Sequence, residues 1–171
     1  MLTAAKYKGW ILVLLGLTVV TLLTNSCKKD NNDTVQYFLT NGTWTLASVQ
    51  RFHFVGDTQG ATDTLNATCQ ATQTFVFNSN NTCTYTNYHC LTQSNSGSWI
   101  IGSDNVSLTT TLTAQDTLKG AKVSVNAFGA AKIITLGQYS LVLQTGDIES
   151  YYKATTVRTI VQYGFVHATT P

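Results

Sequence analysis

The chain has 171 residues, a formal net charge of +2 and only 11% charged side chains. Lys6 and Lys8 account for the excess charge. Beyond residue 26 positive and negative groups balance, so no long-range field exists to gather nucleic acid. That remainder is rich in the threonine, valine, isoleucine and aromatic residues that suit half-buried strands. Its only proline is Pro171, and no stretch keeps a 3.6-residue apolar period, which excludes a helical bundle and predicts one all-β domain.

The first element is N-terminal. Lys6 and Lys8 precede Trp10–Leu23, a run of about 14 mostly apolar residues. A membrane-spanning helix needs about 20 residues, so this run suits a cleavable signal rather than a span. Thr24-Asn25-Ser26 then leads into Cys27, and the arrangement resembles the lipobox of bacterial lipoproteins. That resemblance implies cleavage before Cys27, acylation of its thiol and amine by palmitate-like chains, and anchoring to the outer membrane on its periplasmic or surface face. The expected organisation is a signal peptide over 1–26, a lipidated Cys27 with a flexible polar tether over 27–40, and one β domain over 41–171.

Within the domain, Val35–Leu39 suits a single helical turn. Strands are expected at Thr43–Val55, Cys69–Phe77, Thr82–His89, Gly97–Ile101, Val106–Thr113, Ala121–Ala127, Lys132–Leu136, Tyr139–Thr145 and Tyr151–Tyr163. Turn residues separate them, among them Gly56-Asp57, Asn78–Asn81, Ser94–Gly97, Gly102–Asn105 and Gly146-Asp147. Such spacing predicts an antiparallel up-and-down meander of about eight strands. Closure into a barrel would remove its exposed edges, and a two-sheet sandwich is the alternative.

Three thiols remain beyond Cys27: Cys69, Cys83 and Cys90. With Asn78–Asn81 as a symmetric turn, Phe77 faces Thr82, Phe75 faces Thr84 and Cys69 faces Cys90. Cys83 then faces Val76 on the other side of the pleat. This register predicts a Cys69–Cys90 disulfide, persistent in an exported protein, and a free, buried Cys83.

Several motifs follow one another in an order that resembles a known family. Ser26-Cys27-Lys28-Lys29 precedes Gly42-Thr43-Trp44, then Cys69, Thr74-Phe75-Val76-Phe77, Cys90 and Gly97-Ser98-Trp99-Ile100. The set is similar to lipocalin-like lipoproteins of Bacteroidetes type. The likeness implies an eight-stranded lipocalin-like barrel in which Gly42 and Trp44 open the first strand and Arg158, the one late arginine, packs across the Trp44 indole.

No motif calls for catalysis. Gly-x-Ser-x-Gly, His-Glu-x-x-His and phosphate-cradling glycine loops are all missing from the sequence. Glu149 is the only glutamate, and Asp57, Asp63, Asp104, Asp116 and Asp147 all sit in turn-like contexts. His53, His89 and His167 lie on distant segments, and His89 and Cys90 should point to opposite sheet faces, so neither a metal nor a cofactor is expected. Two functions compete for this non-enzyme. In one, the barrel holds a small apolar ligand against Phe75, Phe77, Tyr88, Trp99, Leu141 and Leu143. In the other, those side chains fill the barrel and the protein serves as an envelope-structural or surface-interaction module.

Overall fold

The computed structural model describes residues 31–65, 69–118 and 121–167. The signal segment and Cys27 lie outside the described residues. A helix, α1, spans Asn31–Thr40; it includes the turn expected at Val35–Leu39 and extends it into residues expected as tether. Val35 and Leu39, four residues apart on one helical face, turn toward the core, and Leu39 is fully buried. Its carbonyl accepts the Trp44 indole N–H at 2.9 Å, tying helix to barrel. Between them Gly42 adopts φ +113°, a conformation that favours glycine, and this lets the chain leave the helix and enter the first strand two residues before Trp44.

The strands are β1 (Thr43–Val55), β2 (Thr58–Thr64), β3 (Thr74–Phe77), β4 (Thr82–Thr86), β5 (Ser94–Ile101), β6 (Ser107–Thr110), β7 (Thr113–Leu118), β8 (Ala121–Asn126), β9 (Ala131–Leu136), β10 (Ser140–Gly146) and β11 (Val157–His167). Eight of them, β1-β3-β4-β5-β6-β9-β10-β11, follow one another around an antiparallel sheet that closes through β11 and β1. The architecture is therefore the up-and-down barrel, not the sandwich.

Two hairpins extend beyond the ring. β1 pairs with β3 over Thr43–Thr45 and with β2 from Gln50 to Val55, so its two ends serve different neighbours. β6 and β9 pair at Ser107↔Lys132, and β7 and β8 pair at Thr113↔Asn126 with the same offset. They form one long hairpin interrupted at Ala127 and Phe128. Phe128 takes φ +60° there, and the Thr110 hydroxyl donates to the Ala127 carbonyl. The strands β2 and β7, polar and threonine-rich, were not expected from the sequence.

The β3–β4 hairpin departs from a symmetric turn. Asn81 is left-handed, at φ +65°, and the ladder resumes at Phe77↔Cys83, not Phe77↔Thr82. A slip of one residue exchanges the two faces. Cys83 thus shares the inner face with Phe75, Phe77 and Tyr85, is fully buried, and has its thiol pushed up to about 11 by burial. Cys69 and Cys90 are disulfide-bonded, with Cα atoms 5.1 Å apart, but both lie outside the β3–β4 ladder. The expected bridge exists, although not through the expected strand register. Ser94–Gly97, expected as a turn, instead begins β5 and pairs with β4.

Aromatic rings pack against one another in the barrel core. Phe75 meets Phe128 at 5.3 Å, Phe165 at 5.5 Å and Tyr88 at 5.9 Å, all edge to face, and Phe77 meets Trp99 in the same way. Leu108, Leu112, Leu141 and Leu143 complete this core, each with no exposed surface.

Arg158 does not reach Trp44. Its register partner on β1 is Phe54, ten positions along, roughly 30 Å away at strand rise. The indole is covered instead by His167, with ring centroids 3.8 Å apart. Arg158 is buried at the other end of the barrel, its guanidinium 3.5 Å from the Tyr152 ring centroid and donating to the Gly56 carbonyl at 2.9 Å. It clamps the β10–β11 connection to the β1–β2 hairpin.

Candidate functional site

The barrel is open where β1 changes neighbours. After pairing with β3, the strand bulges between Leu46 and Ser48 and then joins β2. The described parts of the β2–β3 connection are anchored here, by the Leu65 N–H on the Val49 carbonyl and the Leu46 N–H on the Gln73 carbonyl. A cleft of about 650 Å³, lined by Leu65 and by Cys69 to Gln73 among others, lies at this place. Leu46, Val49 and Arg51 line it from β1, Val161 and Tyr163 from β11, and His89, Cys90 and Asp116 from the opposite rim.

That rim is strained and held from several sides. Asn87, His89 and Cys90 all have φ between +51° and +62°. Non-glycine residues in this region cost of order 1–3 kcal/mol each and persist only where surroundings impose them. Here the disulfide fixes Cys90, the Asn87 amide donates to the Thr72 carbonyl, and the Gln93 amide donates to the Tyr88 carbonyl. His89 stacks on Tyr88 at 4.0 Å, and its Nδ1 lies 3.0 Å from the Asp116 carboxylate. Burial works against the Asp116 charge, but hydrogen bonds from His89 and the Thr117 N–H outweigh it and hold the carboxyl below its ordinary value. The left-handed turn also brings His89 and Cys90 to the same cleft, where an extended strand would have separated them.

Across the β1–β2 ladder from Arg51, the Asp63 carboxylate meets His53 Nε2 at 2.9 Å and Arg51 Nη1 only at 3.9 Å. Asp63 and Asp116 are thus strand residues with histidine partners, not turn residues. Asp104 keeps the expected turn role, accepting from the N–H groups of Val106 and Ser107. Tyr163 borders the cleft with its hydroxyl raised above its ordinary pKa by burial, and burial followed by its neighbour Tyr163 does the same to Tyr88 behind it in the interior.

Of the six residues expected to line a ligand site, Phe75, Phe77, Trp99, Leu141 and Leu143 are packed into the core and border neither this cleft nor a second cavity of about 340 Å³. Tyr88 borders that second cavity together with Phe128, Thr145 and Tyr163. Sequence reasoning missed Arg51, Val161 and Tyr163. The signal available was Arg51 itself, the one lysine or arginine in β1. Among the described residues no cluster of histidine, cysteine and carboxylate side chains has the arrangement of a metal site. No family model, curated protein or solved structure matches this chain.

Proposed function

We propose that this protein is a lipid-anchored, lipocalin-like module that binds a small ligand in the cleft at the open end of its barrel. The carrying observation is the cleft itself: about 650 Å³, within the range of small-molecule sites, in a closed barrel whose other end is filled. The strained, disulfide-fixed rim supports the same reading, because such strain concentrates at ligand clamps. Binding rather than catalysis is favoured because Asp116 at the rim and Asp63 beside Arg51 already have histidine partners, and the strongly shifted Cys83 thiol belongs to the packed interior. The anchor is Cys27, read from the lipobox-like sequence, which assigns the module to the cell envelope.

Titration with the neutral, polarity-sensitive dye Nile red tests the binding reading. Saturable one-to-one fluorescence enhancement is expected, and Ala71→Trp, which plugs the cleft wall, should abolish it. Failure of the wild type to bind, or equal binding by Ala71→Trp, overturns the reading. Intact mass of the protein from a bacterial host tests the anchor: the expected species begins at acylated Cys27, and an unmodified species retaining Met1 refutes it.

A second reading, a surface for a protein partner, has one observation in its favour. Val55 and Val157 pair across β1 and β11 with 53% and 73% exposure, and Tyr151 is 95% exposed on the neighbouring connection.

A further inference from the structure

The cleft contains one cation, Arg51, that no described carboxylate reaches within hydrogen-bond distance. Arg51 carries five N–H donors in a planar fork. Among the described residues its only ion-pair partner is Asp63, at 3.9 Å, beyond hydrogen-bond distance. The acids around it are better served elsewhere. Asp63 lies 2.9 Å from His53, and Asp116 is held by His89 at 3.0 Å and by the Thr117 N–H at 2.7 Å. Beside it the buried Gln73 Oε1, an acceptor, is the one other unmet side-chain group among the described lining residues, so the charged unmet capacity of the cleft is the donating guanidinium.

Arg51 also stands at the end of an apolar track. Its cross-strand partner on β11 is Val161. Along the inner side of β1, Val49 and Leu46 follow it toward the packed end, a distance of roughly 15 Å at strand rise, with Leu65 just beyond β2 also lining the cleft. From these placements we infer that the cleft takes an amphiphilic monocarboxylate, its carboxylate on the Arg51 guanidinium and its hydrocarbon body along Leu46, Val49, Leu65 and Val161. A carboxylate matches the guanidinium fork in two parallel charge-assisted bonds. A doubly charged phosphate head is disfavoured by Asp63 and Asp116 nearby. The inference rests on the binding reading above and adds the chemical class of the ligand.

Displacement of bound Nile red from the full chain separates the two. Decanoate, decanol and decyl phosphate share one hydrocarbon body and differ in the head. Decanoate is expected to displace the dye at a concentration about tenfold lower than decanol, as a charge-assisted hydrogen bond implies, with decyl phosphate weaker than decanoate. Arg51→Gln should bring decanoate and decanol within twofold of each other, and Arg51→Lys should restore part of the gap. Asp63→Asn removes the competing carboxylate and should tighten decanoate several-fold while leaving decanol unchanged. If decanol matches decanoate in the wild type, or if the gap survives in Arg51→Gln, the carboxylate assignment is wrong while ligand binding stands. Stronger displacement by decyl phosphate than by decanoate overturns the choice of head group. Absence of Nile red binding removes the binding reading and this inference with it.

Discussion

The two ends of this barrel are built from different materials. At the packed end, Leu39, Trp44, Phe75, Phe77 and Trp99 are nearly or wholly excluded from solvent and hold one another by shape. At the open end, order comes from a disulfide, two histidine–carboxylate pairs and a turn in left-handed conformations. Stability should therefore be concentrated at the first end, and ligand response at the second. A barrel can be solid over half its length and still offer a site, because its strands outrun their neighbours at only one end.

The sharpest test of that division is Trp44→Ala. It removes the largest buried side chain and its bond to Leu39, and should cost about 3–5 kcal/mol in urea unfolding. A loss under 1 kcal/mol would contradict the packed-end assignment. Replacing Cys69 and Cys90 together by serine frees a loop with a sequence separation of 21 and should cost about 3 kcal/mol. Unlike Trp44→Ala, it should weaken Nile red binding even well below the unfolding midpoint, because both cysteines line the cleft. Unchanged dye affinity would separate the rim from the site.

A smaller effect is expected from Asp116→Asn. The carboxyl is held below its ordinary value in the folded state, so the stability it contributes is present above the unfolded-state pKa, 3.8. It is lost as pH falls through the lower folded value. The variant should therefore show a shallower loss of Tm between neutral pH and about pH 3 than the wild type. Identical acid limbs would show that the His89 pair does not hold the rim. The smallest effect on folding belongs to Arg51→Gln. Its side chain is 42% exposed and its ion pair long, so stability should stay within about 0.5 kcal/mol. A large loss would make Arg51 a structural residue and not a ligand contact.

The strands with strong β formers were legible in the sequence. β1 runs over Thr43–Val55, as expected, because Leu46, Val49, Phe52, Phe54 and their neighbours leave no other choice of conformation. β2, with sequence Thr58-Gln-Gly-Ala-Thr-Asp-Thr64, was not legible. It has almost no apolar payload and is a strand only because β1 extends past β3 and presents a ladder to it. The inward direction of Phe75, Phe77, Trp99, Leu141 and Leu143 was legible, though whether they line a ligand or fill the core was decided by the structure, which fills it. The open space was not, because it depends on where β1 parts from β3, and a hydrophobic pattern does not report that.

The pairing of Cys69 with Cys90 and the isolation of Cys83 could be inferred from the chain, yet the route by which they arise could not. Asn81 in a left-handed conformation shifts the hairpin by one residue, which turns Cys83 inward beside Phe77. A second left-handed step at His89 and Cys90 then returns the bridge to reach. What the sequence determined by itself was the all-β class, the antiparallel up-and-down order of the strands, and the aromatic identity of the core, since these follow from side-chain chemistry repeated along the chain. What only the tertiary structure decided was the position of His167 rather than Arg158 over Trp44, the histidine partners of Asp63 and Asp116, and the cleft that leaves Arg51 without a close partner. Each of these depends on register, and register is set by single residues in turns whose conformation the neighbouring strands select.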